Sequence, residues 1–268
     1  MNVLARNNVH TRGTFEKTLV FSHGFGCDQT MWKRVVEQLD YRYNIILFDV
    51  VGAGLSDLSA FDPIKYETLA GYASDVLEIL DILNASNVTF IGHSVSAMIG
   101  ILAAEMQHKD FIKEMVLVGP SPCYLNDGAY RGGFEREQIE GLLASMSCDY
   151  IAWSQSLSGL VMGDASETDV AQELLHSFCN TDPEIAAHFA RTTFLSDNRS
   201  NLPKVRHPTL ILQSRDDAIA PQHVGEYMHR TMPHSTFQLL DVSGHCPHLT
   251  HPEHVARAIE DFVTRDAA

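Results

Sequence analysis

Short apolar runs alternate with amphipathic runs along most of the chain. The apolar runs are rich in β-branched and aromatic residues and cover residues 17–23, 44–50, 87–92, 114–119, 207–213 and 235–242. Such near-continuous apolar character predicts strands that are buried on both faces of a parallel sheet. Between the strands, apolar residues recur three and four positions apart, which predicts helices over residues 30–39, 66–83, 223–232 and 252–265. Strands alternating with helices predict a doubly wound α/β fold.

Residues 122–197 break this alternation, because they contain helical periods and no strand pattern. The segment is too long for an ordinary connection between two neighbouring strands. We therefore predict a helical lid over the carboxyl ends of the strands, where open α/β sheets bind ligands. The expected organisation is one domain, with a core formed by residues 1–121 and 198–268 and the lid inserted at 122–197.

Composition and charge exclude several classes of function. The formal net charge of −15 argues against nucleic-acid partners and anionic membrane surfaces, since both attract basic patches. We find no apolar stretch long enough for a membrane span and no secretory signal. The five cysteines are scattered and form no CxxC motif, which fits a reducing compartment. We expect a cytoplasmic monomer without a cofactor.

The first chemical motif is GHSVS, residues 92–96, which follows the apolar run NVTFI and precedes the helical run AMIGILAAEM. It differs from the nucleophile-elbow pattern Gly-x-Ser-x-Gly only in its last residue, Ser96. In such an elbow, a tight strand-to-helix turn presents a reactive serine, here Ser94. The alternative interpretation is that Ser94 merely caps the helix, because serine is a favoured N-cap residue.

A serine nucleophile needs a base and an acid that orients the base, and both should follow it along the chain. Asp216 and Asp217 are adjacent and come directly after one predicted strand. His245 lies in a glycine-containing loop after the next predicted strand. Because all three groups occur in the expected order after strands, we predict Ser94 as the nucleophile and His245 as the base. One of the two aspartates would orient His245.

The negative charge that develops during acyl transfer needs backbone N–H donors. One donor should be Val95, which directly follows the predicted nucleophile. The other should come from a loop after an early strand, and HGFG, residues 23–26, is such a loop. We assign the second N–H to Phe25.

Other sites are not supported by the sequence. Histidines recur at every third position late in the chain, at His245, His248, His251 and His254. Pro247 and Pro252 interrupt any helix that would align them, and no acidic or cysteine cluster accompanies them, so we predict no metal site. The glycines of DVVGAGLSD, residues 49–57, match neither GxGxxG nor a phosphate-binding P-loop.

These motifs resemble those of the α/β-hydrolases, specifically the RsbQ-like stress-signalling hydrolases and the plant karrikin and strigolactone receptors. The resemblance extends over almost the whole chain. It is densest in HGFGCDQTMW, LFDVVGAGLSD, GHSVSAMIG, GPSPCYLND, GGFE and GHCPHLTHP. Ser96 matches the plant receptors, whereas RsbQ has glycine at this position.

The resemblance implies a Ser94–His245–Asp217 triad, with Asp217 a better match than Asp216, and oxyanion donors at Phe25 and Val95. It also implies a four-helix, V-shaped lid over an apolar pocket. The residues expected to bind substrate are Phe25, His93, Tyr124, Phe134, Leu142, Trp153, Leu157, Leu160, Phe189, Phe194 and Ile219. The alternative for several of them is simple helix-to-helix packing.

Two functional hypotheses remain at this point. The first is a serine hydrolase that cleaves a small, largely apolar ester or lactone, such as a butenolide, through an acyl-enzyme. The second is a slow-turnover sensor of a small molecule that signals to a protein partner. The resemblance implies that such a partner would be a PAS-containing phosphatase of a stress-response pathway.

Overall fold

The computed structural model describes residues 2–165 and 168–265. Within these residues, one seven-stranded sheet runs through the protein in the order β1-β3-β2-β4-β5-β6-β7. Its strands are β1 (His10–Arg12), β2 (Thr18–Ser22), β3 (Asn44–Phe48), β4 (Val88–His93), β5 (Ile112–Val118), β6 (Thr209–Asp216) and β7 (Ser235–Ser243). Neighbouring strands are parallel except β1, which is antiparallel to β3. The predicted α/β fold is therefore confirmed.

Helices cover both faces of this sheet and fill the long connection between β5 and β6. They are α1 (Val3–Arg6), α2 (Lys33–Val36), α3 (Leu69–Ile82), α4 (Val95–Met106), α5 (Arg136–Cys148), α6 (Tyr150–Met162), α7 (Asp169–Cys179), α8 (Pro183–Phe194), α9 (Gln222–Thr231), α10 (Pro247–Thr250) and α11 (Pro252–Thr264). The helix predicted over residues 30–39 is wrong in extent, because a 3₁₀ turn, Gln29–Trp32, precedes a single turn of α-helix.

The central strands are buried on both faces, as their apolar runs predict. Successive side chains of a strand point to opposite faces. Leu19 and Phe21 of β2 accordingly pack with α2 and α11, whereas Val20 packs with α3 and α4. The sequence did not predict β1, whose three residues are polar and exposed.

Residues 122–197, hereafter the helical insertion, contain α5, α6, α7 and α8 and form an apolar cluster of their own. The cluster includes Trp153, Phe178 and Phe194 of the insertion together with Cys27 and Ile219 of the core. The insertion thus packs on the loops that follow β2 and β6. Within the described residues, no helix is both long and apolar enough to cross a lipid bilayer.

Polar contacts also join the helical insertion to the core. The guanidinium of Arg34, in α2, donates two hydrogen bonds of 2.8 and 2.7 Å to the carboxylate of Glu173, in α7. His188 and Thr192 of α8 bond to the carbonyl oxygen of Tyr66 at 3.0 and 3.1 Å. These contacts hold the two sides of the insertion against the sheet domain.

Candidate active site

Ser94 lies in the tight turn between β4 and α4. Its backbone angles, φ 55° and ψ −120°, belong to a region that side-chain-bearing residues rarely adopt. Gly92 makes the turn possible, because a Cβ atom there would lie 2.5 Å from the carbonyl oxygen of Ser96. Ser94 occupies the N-cap position of α4, yet its side chain makes no capping hydrogen bond. The geometry is that of a nucleophile elbow and does not support the capping alternative.

The side chains of Ser94, His245 and Asp217 form one buried hydrogen-bonded chain. Ser94 Oγ lies 2.8 Å from His245 Nε2, and His245 Nδ1 lies 2.7 Å from Asp217 Oδ2. Because an ionised carboxylate can only accept, a neutral His245 carries its proton on Nδ1. Its Nε2 then accepts a hydrogen bond from the hydroxyl of Ser94. This arrangement can remove the proton of Ser94 as the serine attacks a carbonyl group.

Asp217 is held in place by the loop that follows β6. Its Oδ1 accepts hydrogen bonds from the backbone N–H groups of Ile219 and Ala220 at 2.8 and 2.9 Å. Its Oδ2 accepts a further bond of 3.2 Å from Gln213 Nε2. The neighbouring Asp216 is exposed. Of the two aspartates that the sequence offers, the structure therefore brings Asp217 to His245.

The backbone of His245 is fixed on two sides. Its N–H donates to the carbonyl oxygen of Val161 in α6 at 2.7 Å. Its own carbonyl oxygen accepts a 2.9 Å hydrogen bond from Nε2 of His93. Burial lowers the pKa of His93 well below its ordinary value, so the ring is neutral at pH 7. His245 is thus clamped between the helical insertion and the elbow.

Three buried residues of the types that bind metals lie next to the hydrogen-bonded side chains of the proposed triad. Ligand atoms of His93, Cys246 and His248 all lie within 4.8 Å of one another. Burial lowers the pKa of His248 to about 3 and raises that of Cys246 well above its ordinary value. A neutral imidazole suits a metal, but a protonated thiol does not. The His93 nitrogen nearest to Cys246, at 3.9 Å, already donates to the carbonyl of His245. We therefore assign no metal to this cluster.

The two proposed oxyanion donors flank Ser94. Val95 is the first residue of α4, so its N–H has no acceptor within the helix. On the other side, Gly24 packs closely against the elbow. A Cβ atom on Gly24 would lie 2.5 Å from His93 Nδ1 and 3.5 Å from Ser94 Cβ. Phe25 directly follows this contact and lines the same cavity as Ser94, which is consistent with the proposed role of its N–H.

A small cavity of about 30 Å³ opens beside Ser94, under the helical insertion. Six residues predicted to bind substrate line it, namely Phe25, His93, Tyr124, Leu157, Phe194 and Ile219. The lining also includes Cys27, Val161, Leu174, Phe178, Thr193 and Cys246, which are outside the set expected to bind substrate. Cys27 and Cys246 follow the predicted loop and the predicted base directly, so their positions in the sequence offered a signal. The others come together only when the insertion folds.

Five predicted residues lie outside the cavity lining, namely Phe134, Leu142, Trp153, Leu160 and Phe189. Leu160 is 45% exposed, because it lies on the outer side of α6. Phe189 is buried instead between the rings of Phe25 and Tyr72, with centroid distances of 5.6 and 4.7 Å. For the other four residues, which belong to the apolar clusters or pack against them, the structure favours helix packing over direct contact with a ligand.

The cavity wall is apolar apart from a few groups. The hydroxyl of Tyr124 lies 3.5 Å from Ser94 Oγ, and burial raises the pKa of Tyr124 to about 12, so the phenol keeps its proton at neutral pH. The buried hydroxyl of Thr193 has no hydrogen-bond partner among the described residues. A ligand would therefore meet apolar walls and two hydroxyl groups near the serine.

Known proteins are similar to this chain in both sequence and fold. Residues 19–258 match the alpha/beta hydrolase family. A karrikin insensitive 2 receptor of Petunia hybrida is 38% identical, with 98% of this chain and 97% of the receptor aligned. A strigolactone esterase of Arabidopsis thaliana is 36% identical over 98% of each chain.

A solved structure is similar over nearly the whole chain. A hydrolase from Oleispira antarctica superposes with a TM-score of 0.95 and 42% sequence identity, covering 98% of this chain and 96% of that one. The family match spans strands β3 to β7 and most of β2, together with the elbow and the loop of His245. The chain therefore belongs to the alpha/beta hydrolase family, within which its curated relatives include karrikin insensitive 2 receptors and strigolactone esterases.

Proposed function

We propose that the protein hydrolyses small, largely apolar esters or lactones through a covalent acyl-enzyme. The observation that carries this proposal is the buried chain from Ser94 through His245 to Asp217, with bonds of 2.8 and 2.7 Å. A serine in a strained elbow beside the imidazole of His245 has few structural uses that would offset the strain. Family membership and the esterase among the relatives support the same reaction class.

The geometry defines the steps. Ser94 Oγ bonds to the carbonyl carbon of the substrate while its proton passes to His245 Nε2, and Asp217 stabilises the resulting imidazolium. The N–H groups of Val95 and Phe25 donate to the tetrahedral oxyanion. As the intermediate collapses, His245 returns the proton to the leaving oxygen, which stays attached to the acyl chain if the substrate is a lactone. Water then attacks the acyl group while His245 takes its proton, and His245 passes that proton to Ser94 Oγ as the second tetrahedral intermediate collapses and the acid product leaves.

The cavity determines which substrates are favoured. Its walls are apolar, and burying a charge there without a partner would be costly. His93, which also lines the cavity, is neutral because it is buried. Neutral esters and lactones therefore fit better than carboxylates or phosphates. The solved structure of an enol-lactonase from Burkholderia xenovorans shares the fold at 21% sequence identity.

The direct test compares wild type with Ser94→Ala on p-nitrophenyl acetate and on a butenolide lactone. We expect sustained turnover by wild type and a loss of at least about 10³-fold in kcat for the variant. Ser196→Ala serves as a matched control, because its partly buried hydroxyl bonds to a helix carbonyl away from the triad. Turnover by Ser94→Ala at the wild-type rate would refute the proposal.

A second candidate function is a slow-turnover receptor that signals through its helical insertion. The observation that favours it is the hydrogen bond from the His245 N–H to Val161, which links the proposed base to α6. One relative is named a receptor. Whole-protein mass spectrometry separates the two functions: a single burst that leaves a stable adduct on Ser94 or His245 indicates the receptor, and an unmodified enzyme with continuing turnover indicates the hydrolase. A partner such as a PAS-containing phosphatase would then be sought by binding to the adduct.

A further inference from the structure

Ser96 replaces the last glycine of the elbow pattern, and its side chain is fully buried. Its hydroxyl donates a 2.5 Å hydrogen bond to the carbonyl oxygen of His23 and accepts a 2.8 Å bond from Ser22 Oγ. Ser96 belongs to the first turn of α4, one residue after Val95. It therefore connects the elbow to the loop that follows β2.

The bonded carbonyl belongs to the loop that carries Phe25. The next carbonyl, that of Gly24, accepts a 2.9 Å hydrogen bond from His23 Nδ1, and His23 Nε2 accepts one of 3.0 Å from the N–H of Val50. In a trans peptide the N–H points opposite to the C=O, so holding the carbonyl of Gly24 sets the direction of the Phe25 N–H. Ser96 holds the peptide immediately before it.

We propose that Ser96 is a positioning residue, which fixes the distance between the Val95 N–H and the Phe25 N–H. This inference rests on the proposed hydrolysis, in which both groups stabilise the oxyanion. The two donors come from different elements, α4 and the loop after β2, and the Ser96 hydroxyl bonds one element to the other. Oxyanion stabilisation depends on donors that are already in place when charge develops, so small displacements slow the reaction.

The neighbouring Ser22 provides a matched control. It is a buried serine of the same cluster, but among the residues that the structure describes its hydroxyl bonds only to Ser96. Ser22→Ala removes a buried hydroxyl and leaves the bond between Ser96 and His23 intact. Ser96→Ala removes that bond, and Ser96→Gly gives the elbow its usual residue. Differences between the two positions therefore separate donor positioning from the general loss of a buried hydrogen bond.

The experiment measures kcat and KM for p-nitrophenyl acetate and the Kd of an aryl trifluoromethyl ketone, whose adduct with Ser94 places an oxyanion between the donors. Acylation and deacylation both pass through an oxyanion, so both should slow alike. For Ser96→Ala and Ser96→Gly we expect kcat to fall by about tenfold at unchanged KM, and the ketone Kd to rise by a similar factor. For Ser22→Ala we expect all three values to stay within about twofold of wild type.

Several results would overturn the inference. Equal kinetic losses in Ser96→Ala and Ser22→Ala would assign Ser96 a purely structural role, as would a change in KM alone. If Ser96→Ala unfolds at the assay temperature, Ser96→Gly decides, since glycine is the residue of the common elbow. An active wild type with unaffected Ser96 variants rejects only this inference. An inactive wild type rejects the proposed hydrolysis and this inference together.

Discussion

At the scale of single residues, Ser94 is held in a conformation that costs about 1–3 kcal/mol relative to ordinary backbone. The surrounding contacts maintain it: Gly92 leaves room for the turn, and His245 bonds the hydroxyl that the turn exposes. The strained backbone is thus that of the residue whose hydroxyl would react. The same neighbourhood contains buried histidines whose effects on stability can be measured.

His248 gives one such prediction. Its pKa in the folded protein is about 3 because the ring is buried, whereas the ordinary value is 6.5. Between these values only the unfolded chain binds the proton, so the free energy of unfolding falls as the pH falls, by about 1.4 kcal/mol per pH unit. We expect His248→Phe, which keeps a ring against Trp32 at this position, to reduce the slope of unfolding free energy against pH between pH 6 and 4 by about one proton.

Urea unfolding across this pH range measures the slope. His254→Phe, at an exposed histidine, is the matched control and should leave the slope as it is in wild type. An unchanged slope in His248→Phe would show that His248 takes up its proton equally in the folded and unfolded states.

The residues of the proposed triad could be predicted because each one follows a strand in a local motif. Asp217 needed more, because its neighbour Asp216 satisfies the same pattern, and only the buried loop and the resemblance distinguish them. The cavity lining was harder. Thr193 and Phe178 reach it from separate helices, and no local pattern encodes that convergence. Proximity along the chain also misled, since Leu160 is near Leu157 in sequence but lies on the outer side of α6.

At the scale of elements, α6 separates an inner from an outer face. Trp153, Leu157 and Val161 are four residues apart and buried, whereas Leu160 is largely exposed. Leu157 and Val161 border the cavity, and the end of α6 meets the loop of His245. We therefore expect the inner face of this helix to limit the size of the acyl group.

Leu157→Phe tests this role. The added ring carbons would occupy space beside Ser94, so we expect kcat/KM for a p-nitrophenyl hexanoate to fall by about tenfold or more, while the acetate changes by less than about threefold. Leu160→Phe adds the same carbons to the exposed face and should change neither value. Similar losses with both esters would show that the position affects folding instead of chain-length selection. Parallel steady-state kinetics on the two esters provide the measurement.

The main elements of the fold were predictable, because buried parallel strands are continuous apolar runs and the surrounding helices are amphipathic. Strand β1 was not, since His10, Thr11 and Arg12 are polar and exposed and form a strand only by pairing with β3. The α-helix in the region of residues 30–39 is also shorter than predicted. Its apolar residues still pack on the sheet, but through a 3₁₀ turn and one α-helical turn. The sequence therefore predicted that these residues are buried, but it did not predict the backbone conformation in which they are buried.

At the scale of the whole molecule, the cavity beside Ser94 is too small in this conformation for the proposed substrates. A volume of about 30 Å³ accommodates one or two water molecules. An ester or lactone therefore enters only if the helical insertion moves away from the core or its side chains rearrange. Contacts between the insertion and the core should then control entry.

The ion pair between Arg34 and Glu173 joins α2 of the core to α7 of the insertion. Exposed ion pairs of this kind contribute about 0.2–1 kcal/mol, so Arg34→Ala should raise the open population by about 1.4- to fivefold. We expect the backbone amide of His245, which bonds to the insertion, to exchange its hydrogen faster by the same factor. Hydrogen exchange followed by mass spectrometry measures this rate.

The charge swap Arg34→Glu with Glu173→Arg is the control, because it reverses the pair without removing it. Exchange at His245 should return towards the wild-type rate in the double variant and stay fast in either single variant. Equal rates in wild type and Arg34→Ala would mean that the insertion opens without breaking this contact.

The bond from the His245 N–H to Val161 links the position of the proposed base to the position of the insertion over the cavity. When the insertion lifts at α6, the base loses one of the two contacts that hold its backbone, so the open form admits or releases molecules while its proton relay is out of alignment. When the insertion closes, the relay is restored and bulk solvent is shut out. If the proposed hydrolysis requires the insertion to open, substrate entry and bond cleavage are separated in time, and each catalytic cycle includes one opening of the insertion.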